Sequence, residues 1–114
     1  VFCGVMNYQP NVQGVCWFAE HVWPEVRRSC PEACFTIVGS DPTPAVRRLA
    51  SSASGIEVTG RVPDVKPYLW RSGVAVAPLL LARGSQNKVL EAVAAGLPAV
   101  VTSEVLAGLP NEVK

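Results

Sequence analysis

Apolar residues fall along this chain in short dense runs, separated by longer stretches with a helical period. The dense runs are Val1–Val5, Cys34–Gly39, Ile56–Gly60, Gly73–Ala77 and Ala99–Thr102. Runs of that length, rich in Val and Ile and bounded by glycine or turn residues, predict buried strands. After the first run, Val12, Val15, Cys16, Ala19, Val22, Trp23 and Val26 recur at helical spacing. Pro10 suits the first turn of that helix, and Pro24 predicts a kink or a short second segment. Arg27 and Arg28 lie near its end, where cations offset the helix dipole. Residues 40–44 read as a loop and helix start, followed by a helix over Ala45–Ala53. Asp64 is expected to cap a helix that runs to about Arg71, and a further helix spans about Gln86–Ala95. Ser103–Lys114 shows no strong period.

Apolar strands alternating with helices imply βα units, whose right-handed crossovers build a parallel sheet. The expected fold class is therefore α/β, a Rossmann-like parallel sheet flanked by helices, with strand order 3-2-1-4-5. No internal repeat or low-complexity tract interrupts it.

One stretch concentrates the candidate chemistry. Arg83–Val101 reads RGSQNKVLEAVAAGLPAVV. Pro78–Ser85 is a predicted loop, and Gly96-Leu97-Pro98 closes the helix that follows. A helix starting after a parallel strand begins at the carboxyl edge of the sheet, where ligands of such folds bind. Its free N–H groups and positive dipole end suit an anion such as a diphosphate. Lys88 and Glu91 lie one turn apart, a cation beside the phosphate position and a carboxylate within reach of sugar hydroxyls. Spacing alone equally allows a solvated Lys–Glu pair contributing about 0.2–0.5 kcal/mol.

Composition bounds the reading. At 114 residues the chain is one domain, and a net charge of +1 with pI near 7.8 gives no basic footprint for nucleic acid or an anionic membrane. Hydrophobic residues make up 49% and mean hydropathy is +0.26, which fits strands buried on both faces or a surface covered by another domain. No apolar run approaches the roughly 18 residues of a membrane helix. The chain starts inside a strand-like run without Met, so it is expected to be a piece of a longer protein. Cysteines stand at 3, 16, 30 and 34, and His21 is at no ligand spacing from any pair, so no metal site is expected. Cys3 and Cys34 fall in predicted strands and Cys16 on an apolar helix face, so they read as buried reduced thiols suited to the cytoplasm. Cys30-x-x-x-Cys34 is not a redox motif.

The run Gly84-x-x-x-Lys88-x-x-Glu91-Ala92-x-Ala94-x-Gly96-x-Pro98 resembles the donor-binding signature of nucleotide-sugar glycosyltransferases with the GT-B fold. It is most similar to the large retaining family of cell-envelope and of sucrose- or glycogen-type transferases, and the similarity covers nearly the whole chain. The resemblance implies that residues 1–114 are the donor-binding, C-terminal half of a GT-B fold, cut short. The acceptor domain would lie N-terminal, outside this chain, so the isolated piece would be inactive. It implies a glycosyltransferase parent, hexosyltransferase-like, that moves a sugar from a nucleoside-diphosphate sugar to an acceptor with retention of configuration. No cofactor and no protein-bound metal are implied. The parent would serve cell-envelope polysaccharide synthesis in the cytoplasm or peripheral to the inner membrane.

By the same resemblance Glu91 would bind the ribose hydroxyls and Lys88 the diphosphate, assisted by N–H groups around Gly84 and Ser85. The loop Gly4–Asn11 could present further N–H groups to phosphate. Where many relatives carry an arginine and then a lysine, this chain has Val5 and Met6, then Asn7 and Asn11, so one phosphate cation is missing. Asn7 reads equally as a helix cap or a ligand. Backbone groups at Arg61 and Val62 would contact the base, with Arg61 stacking near it or simply exposed in a turn. Relatives place two glutamates about Glu91's turn and the loop before it, separated by seven residues. Glu91 is the second, and Arg83 stands where the first should be. Arg83 would then meet either an acidic donor sugar or, as favoured here, the diphosphate. No catalytic residue is expected in this piece.

Two other functions were open. A dinucleotide-dependent oxidoreductase shares the architecture, but no G-x-G-x-x-G follows the first strand and no acidic residue ends the second. A non-catalytic nucleotide- or partner-binding Rossmann-like module is the alternative. An uncovered sheet edge and apolar patch are expected to favour pairing, including homo-oligomers.

Overall fold

The computed structural model of the chain describes residues 1–51, 54–79 and 87–107, and at 87, 88, 90, 91 and 104 only the backbone. Strands β1 (Phe2–Cys3), β2 (Phe35–Val38) and β3 (Ile56–Val58) pair in parallel in that order. Strands β4 (Ala75–Ala77) and β5 (Ala99–Val101) form a second parallel pair, with Ala75 opposite Ala99. Val1 joins the two. Its N–H donates to the Val74 carbonyl at 2.9 Å, and its carbonyl accepts from the Val76 N–H at 2.9 Å. That exchange is the parallel ladder pattern, so the strands run 3-2-1-4-5 across one surface, as expected.

Alternation along the strands sends neighbours to opposite faces. On one face Phe2, Phe35 and Ile37 meet Val15 and Phe18 of helix α1 (Gln9–His21), Trp23 of α2 (Trp23–Ser29) and Val46 of α3 (Pro44–Arg47). The Phe18 and Phe35 rings stand 4.8 Å apart, and the Trp23 indole N–H donates to the Ser54 carbonyl at 2.7 Å. On the other face Val1, Val38 and Ala75 meet Leu69 of α4 (Lys66–Arg71) and Ala92 of α5 (Asn87–Ala94).

The elements depart from the sequence expectation in specific places. The first helix breaks at Val22, two residues before Pro24, and Pro24 sits in the opening turn of α2. A proline clashes with the carbonyl four residues earlier and lacks a donor, so a new helix start is the conformation that accommodates it. The helix expected over Ala45–Ala53 stops at Arg47; the Ser51 N–H donates to the Ile56 carbonyl, and Gly55 turns with φ +75°. Thr43 caps α3, accepting from the Val46 N–H at 3.3 Å. Beyond β5 a short helix α6 (Ser103–Ala107) forms where no period was read. The Thr102 hydroxyl starts it by accepting from the Val105 N–H, and the Val105 side chain is fully buried in the core.

Two thiols are not buried. Cys34 lies ahead of β2 and Cys30 caps the end of α2, and both are exposed; Cys3 and Cys16 are half-buried.

Candidate functional site

All parallel strands deliver their following loops to one edge, and the order 3-2-1-4-5 reverses direction between β1 and β4. Such a reversal leaves a crevice at the carboxyl edge, because adjacent connections run to opposite faces of the sheet. The loop after β1 and the segment after β4 flank that crevice. Helix α1 leans on the β4 side. A Cβ at Gly14 would stand 2.9 Å from both a Leu79 methyl and the Pro78 carbonyl, so glycine lets the helix approach the chain leaving β4. The Thr102 hydroxyl donates to the Leu79 carbonyl at 2.6 Å, tying the end of β5 to the same segment.

The loops after β1 and β2 are zipped together. The Gly4 N–H donates to the Val38 carbonyl at 3.0 Å, the Met6 N–H to the Ser40 carbonyl at 2.8 Å, and the Thr43 N–H to the Met6 carbonyl at 3.4 Å. The Gly4 and Met6 N–H groups expected to face a phosphate are therefore engaged within the protein. Gly4 contributes space rather than a donor. A Cβ there would lie 2.8 Å from the Asn11 amide nitrogen, and one at Gly39 would lie 1.6 Å from the Gly4 carbonyl oxygen.

Asn11, expected in the first loop where relatives carry a cation, is instead a buried residue of α1. It occupies the apolar stripe of α1 with Val15 and Phe18, and is 3% exposed. Its Nδ2 donates to the Val5 carbonyl at 3.0 Å, holding the loop, while Oδ1 has no partner among the described residues. A polar residue at a stripe position was the available signal. Asn7 is neither cap nor, so far as the helix start goes, involved: Tyr8 occupies the N-cap position, without a side-chain bond.

Arg61 and Val62 follow β3 on the same edge. Two strand spacings of about 4.8 Å put their loop about 10 Å from β1. Arg61 is exposed, and Val62 is half-buried against the Leu69 cluster. Gly60 turns the chain with φ +73°; Val65, not Asp64, holds the N-cap position of α4, and Asp64 one residue earlier accepts from the Lys66 N–H at 3.0 Å. Lys88 and Glu91 lie in α5, which packs on β4 and β5, with Lys88 in its first turn and Glu91 one turn on. Arg83, Gly84 and Ser85 lie outside the described residues. The structure thus sets Gly4, Arg61, Val62 and the opening turn of α5 along one edge.

Among the described residues no group of three or more His, Cys, Asp or Glu is placed to hold a metal ion. No described helix is long and apolar enough to cross a membrane. Burial raises the Cys16 thiol above its ordinary pKa, reinforced by Glu20 and opposed by Arg48. A cavity of 680 Å³ opens at the opposite, amino edge of the sheet, between Phe18, Trp23, Phe35, Val74, Val76 and Val100.

Compared with models of known protein families, the whole chain, residues 1–114, matches the one described as Glycosyl transferases group 1. No curated protein matches the chain.

Proposed function

The chain belongs to the group 1 glycosyltransferases, and we propose that it forms the donor-binding domain of an enzyme that transfers a sugar from a nucleoside-diphosphate sugar to an acceptor with retention of configuration. The observation that carries this reading is the position of α5. It follows β4 at the reversal of strand order, with Lys88 in its first turn and Glu91 one turn later. In this reading Lys88 neutralises the diphosphate and Glu91 accepts hydrogen bonds from the ribose hydroxyls. The N–H groups of Gly84 and Ser85 and the guanidinium of Arg83 complete the phosphate contacts. Arg83 matters more because the Gly4 and Met6 N–H groups are engaged and no cation stands in the first loop. The edge at Arg61 and Val62 takes the base. Gly4, without a side chain, leaves room for the Asn11 amide that holds the first loop beside the crevice.

The acceptor and the groups that act on it belong to a separate N-terminal domain, so these residues alone bind donor without transferring sugar. The parent works on cell-envelope polysaccharide from the cytoplasmic side, with no cofactor beyond the donor. The apolar cavity at the amino edge, where Val74 is 43% and Val100 61% exposed, is a contact surface for further protein, a second copy included.

Calorimetric titration with nucleoside diphosphates, nucleotide sugars and NAD tests the donor assignment. A charge-assisted hydrogen bond contributes about 1.5–3 kcal/mol, so Lys88→Ala and Glu91→Ala should each lower donor affinity about ten- to 150-fold. Both variants binding donor as the parent does would make the pair a surface contact, and a preference for NAD would remove the assignment altogether.

A further inference from the structure

The connection between α2 and β2 carries chemistry that the donor reading does not use. Residues 30–34 read CPEAC, and Cys30 and Cys34 are the two exposed thiols among the described residues. The fold gathers them. Cys30 ends α2, its N–H donating to the Val26 carbonyl at 2.8 Å, and the chain then turns back at once. The Ala33 N–H donates to the Cys30 carbonyl at 2.9 Å, closing a turn from Cys30 to Ala33. The Ala33 carbonyl accepts from Arg27 Nη1 at 2.8 Å, so both backbone groups of Ala33 are held by the end of α2. A turn closed in this way keeps its first and fourth Cα atoms within about 7 Å. Cys34 is the next residue, and its thiol is turned back along the chain, donating to the Glu32 carbonyl at 3.7 Å. A disulfide needs about 4.4–6.8 Å between Cα atoms. Residues 31–34 lie outside helix and strand, so the turn can tighten by the difference without breaking helix or ladder bonds.

We infer that Cys30 and Cys34 are a redox-modified pair, closing into a disulfide across this turn on meeting a low-molecular-weight disulfide such as glutathione disulfide. The spacing is not that of a disulfide oxidoreductase; the turn, rather than the spacing, brings the sulfurs together. The thiolate of one cysteine attacks glutathione disulfide, releasing one glutathione and leaving a mixed disulfide on the protein. The thiolate of the other attacks the protein sulfur of that intermediate and releases the second glutathione. Two electrons pass from the protein to glutathione, and the two thiol protons end on the two released molecules. Exposure opens both sulfurs to the oxidant, whereas Cys3 and Cys16 are half-buried. A ring spanning only residues 30–34 constrains the unfolded chain little, so the bond is a reversible modification rather than a structural staple. Cys34 also lines the 680 Å³ cavity at the amino edge, beside Ala33 and Phe35, so drawing it toward Cys30 reshapes that wall. Nothing in this inference depends on which donor the carboxyl edge binds.

The test equilibrates the full-length protein in glutathione buffers of rising disulfide content and quenches with acid. Remaining thiols are alkylated under denaturing conditions and the protein is digested with trypsin. Cleavage after Arg28 and Arg47 leaves both cysteines in one peptide, Ser29–Arg47. That peptide should pass, with one midpoint, from a doubly alkylated form to an unalkylated form two hydrogens lighter than the dithiol. Dithiothreitol should restore it. Because the fold holds the turn, the chain unfolded in urea should need about tenfold more glutathione disulfide for the same conversion. Cys30→Ser should leave Cys34 as a stable glutathione adduct, and Cys34→Ser should do the same at Cys30. Separate glutathione adducts on both thiols of the parent, disulfides between molecules, or no oxidation at any ratio overturn the inference. Equal midpoints in the folded and the urea-unfolded protein overturn it as well, because the turn would then contribute nothing to the pair.

Discussion

Replacing Asn11 with aspartate tests the account of the first loop with nearly no change of shape. Asn11 is 3% exposed, and its Nδ2 donates to the Val5 carbonyl at 3.0 Å. An ionised carboxylate would turn an acceptor toward that carbonyl and bury a charge with no partner among the described residues. The Val5 carbonyl would keep the Tyr8 N–H at 3.3 Å and lose the Asn11 donor, a loss of about 0.5–1.5 kcal/mol. Burial raises a carboxyl's pKa, and each unit of rise costs about 1.4 kcal/mol once the group is ionised in the unfolded chain. A rise of about three units therefore adds about 4 kcal/mol at neutral pH. The sign follows from linkage. With the folded pKa above the unfolded one, the folded state holds the proton more tightly. Variant stability is then fullest below about pH 3.9, where the neutral acid can donate to Val5, and is lost as pH climbs toward the folded pKa. Urea unfolding of parent and variant from pH 4 to pH 8 should show a gap that widens by about 1.4 kcal/mol per pH unit and then levels off. A gap that stays constant over that interval, or an aspartate variant as stable as the parent at pH 7.5, would refute the claim that Asn11 is a buried donor latching the loop.

Two further predictions follow from backbone approach and thiol exposure. Gly39→Ala drives a Cβ to 1.6 Å from the Gly4 carbonyl oxygen, a backbone atom that cannot swing aside, so it should cost about 2–4 kcal/mol in chemical unfolding. Gly60→Ala, with φ +73° but no atom within 4 Å, should cost only about 1–2 kcal/mol; equal losses would show that clash is not the cause at Gly39. Brief alkylation with iodoacetamide at pH 7.5, read by peptide mass spectrometry, should label Cys30 and Cys34 first. It should label Cys16 last, because Cys16 is half-buried and its thiol is held above the ordinary pKa. Cys16 labelling as fast as Cys34 would contradict the burial.

The strands were legible because buried parallel strands leave an unusual trace, dense apolar runs such as CFTIVG and IEVTG that need no alternation. Their order was legible for a topological reason, since right-handed crossovers from a central first strand admit few arrangements. What failed was the ends of helices. Residues 45–53 contain apolar Val46, Leu49 and Ala50 at helical spacing, yet the chain leaves the helix after Arg47 because Ser51 pairs with Ile56 and Gly55 turns beneath it. That pairing joins a helix tail to the start of a strand, and no local pattern announces it. Likewise α6 owes its start to the Thr102 hydroxyl, which also reaches Leu79 across the sheet at 2.6 Å. Its periodicity is too brief to be read.

At the candidate site the same division holds, and its physical basis is distance along the chain. Lys88 and Glu91 were visible because their meaning is local: a loop, a helix start, a cation in the first turn and a carboxylate one turn later. The roles of Gly4 and Asn11 are not local. Whether the Gly4 N–H is free for a phosphate depends on Val38, brought alongside by strand pairing, and the answer is that it is engaged. Whether Asn11 is a surface amide or a buried latch depends on the path of the loop over it. The consequence reaches the chemistry. A first loop that has no cation and whose N–H groups at Gly4 and Met6 are bonded within the protein can offer a diphosphate little beyond room. The attraction must then come from elsewhere, and the donor contacts proposed for Arg83 and Lys88 would supply it. Arg83→Glu in the full-length enzyme should accordingly weaken binding of the bare nucleoside diphosphate as much as that of the nucleotide sugar. Unchanged diphosphate affinity with an altered choice of sugar would move Arg83 to the sugar, and would require another cation for the phosphates.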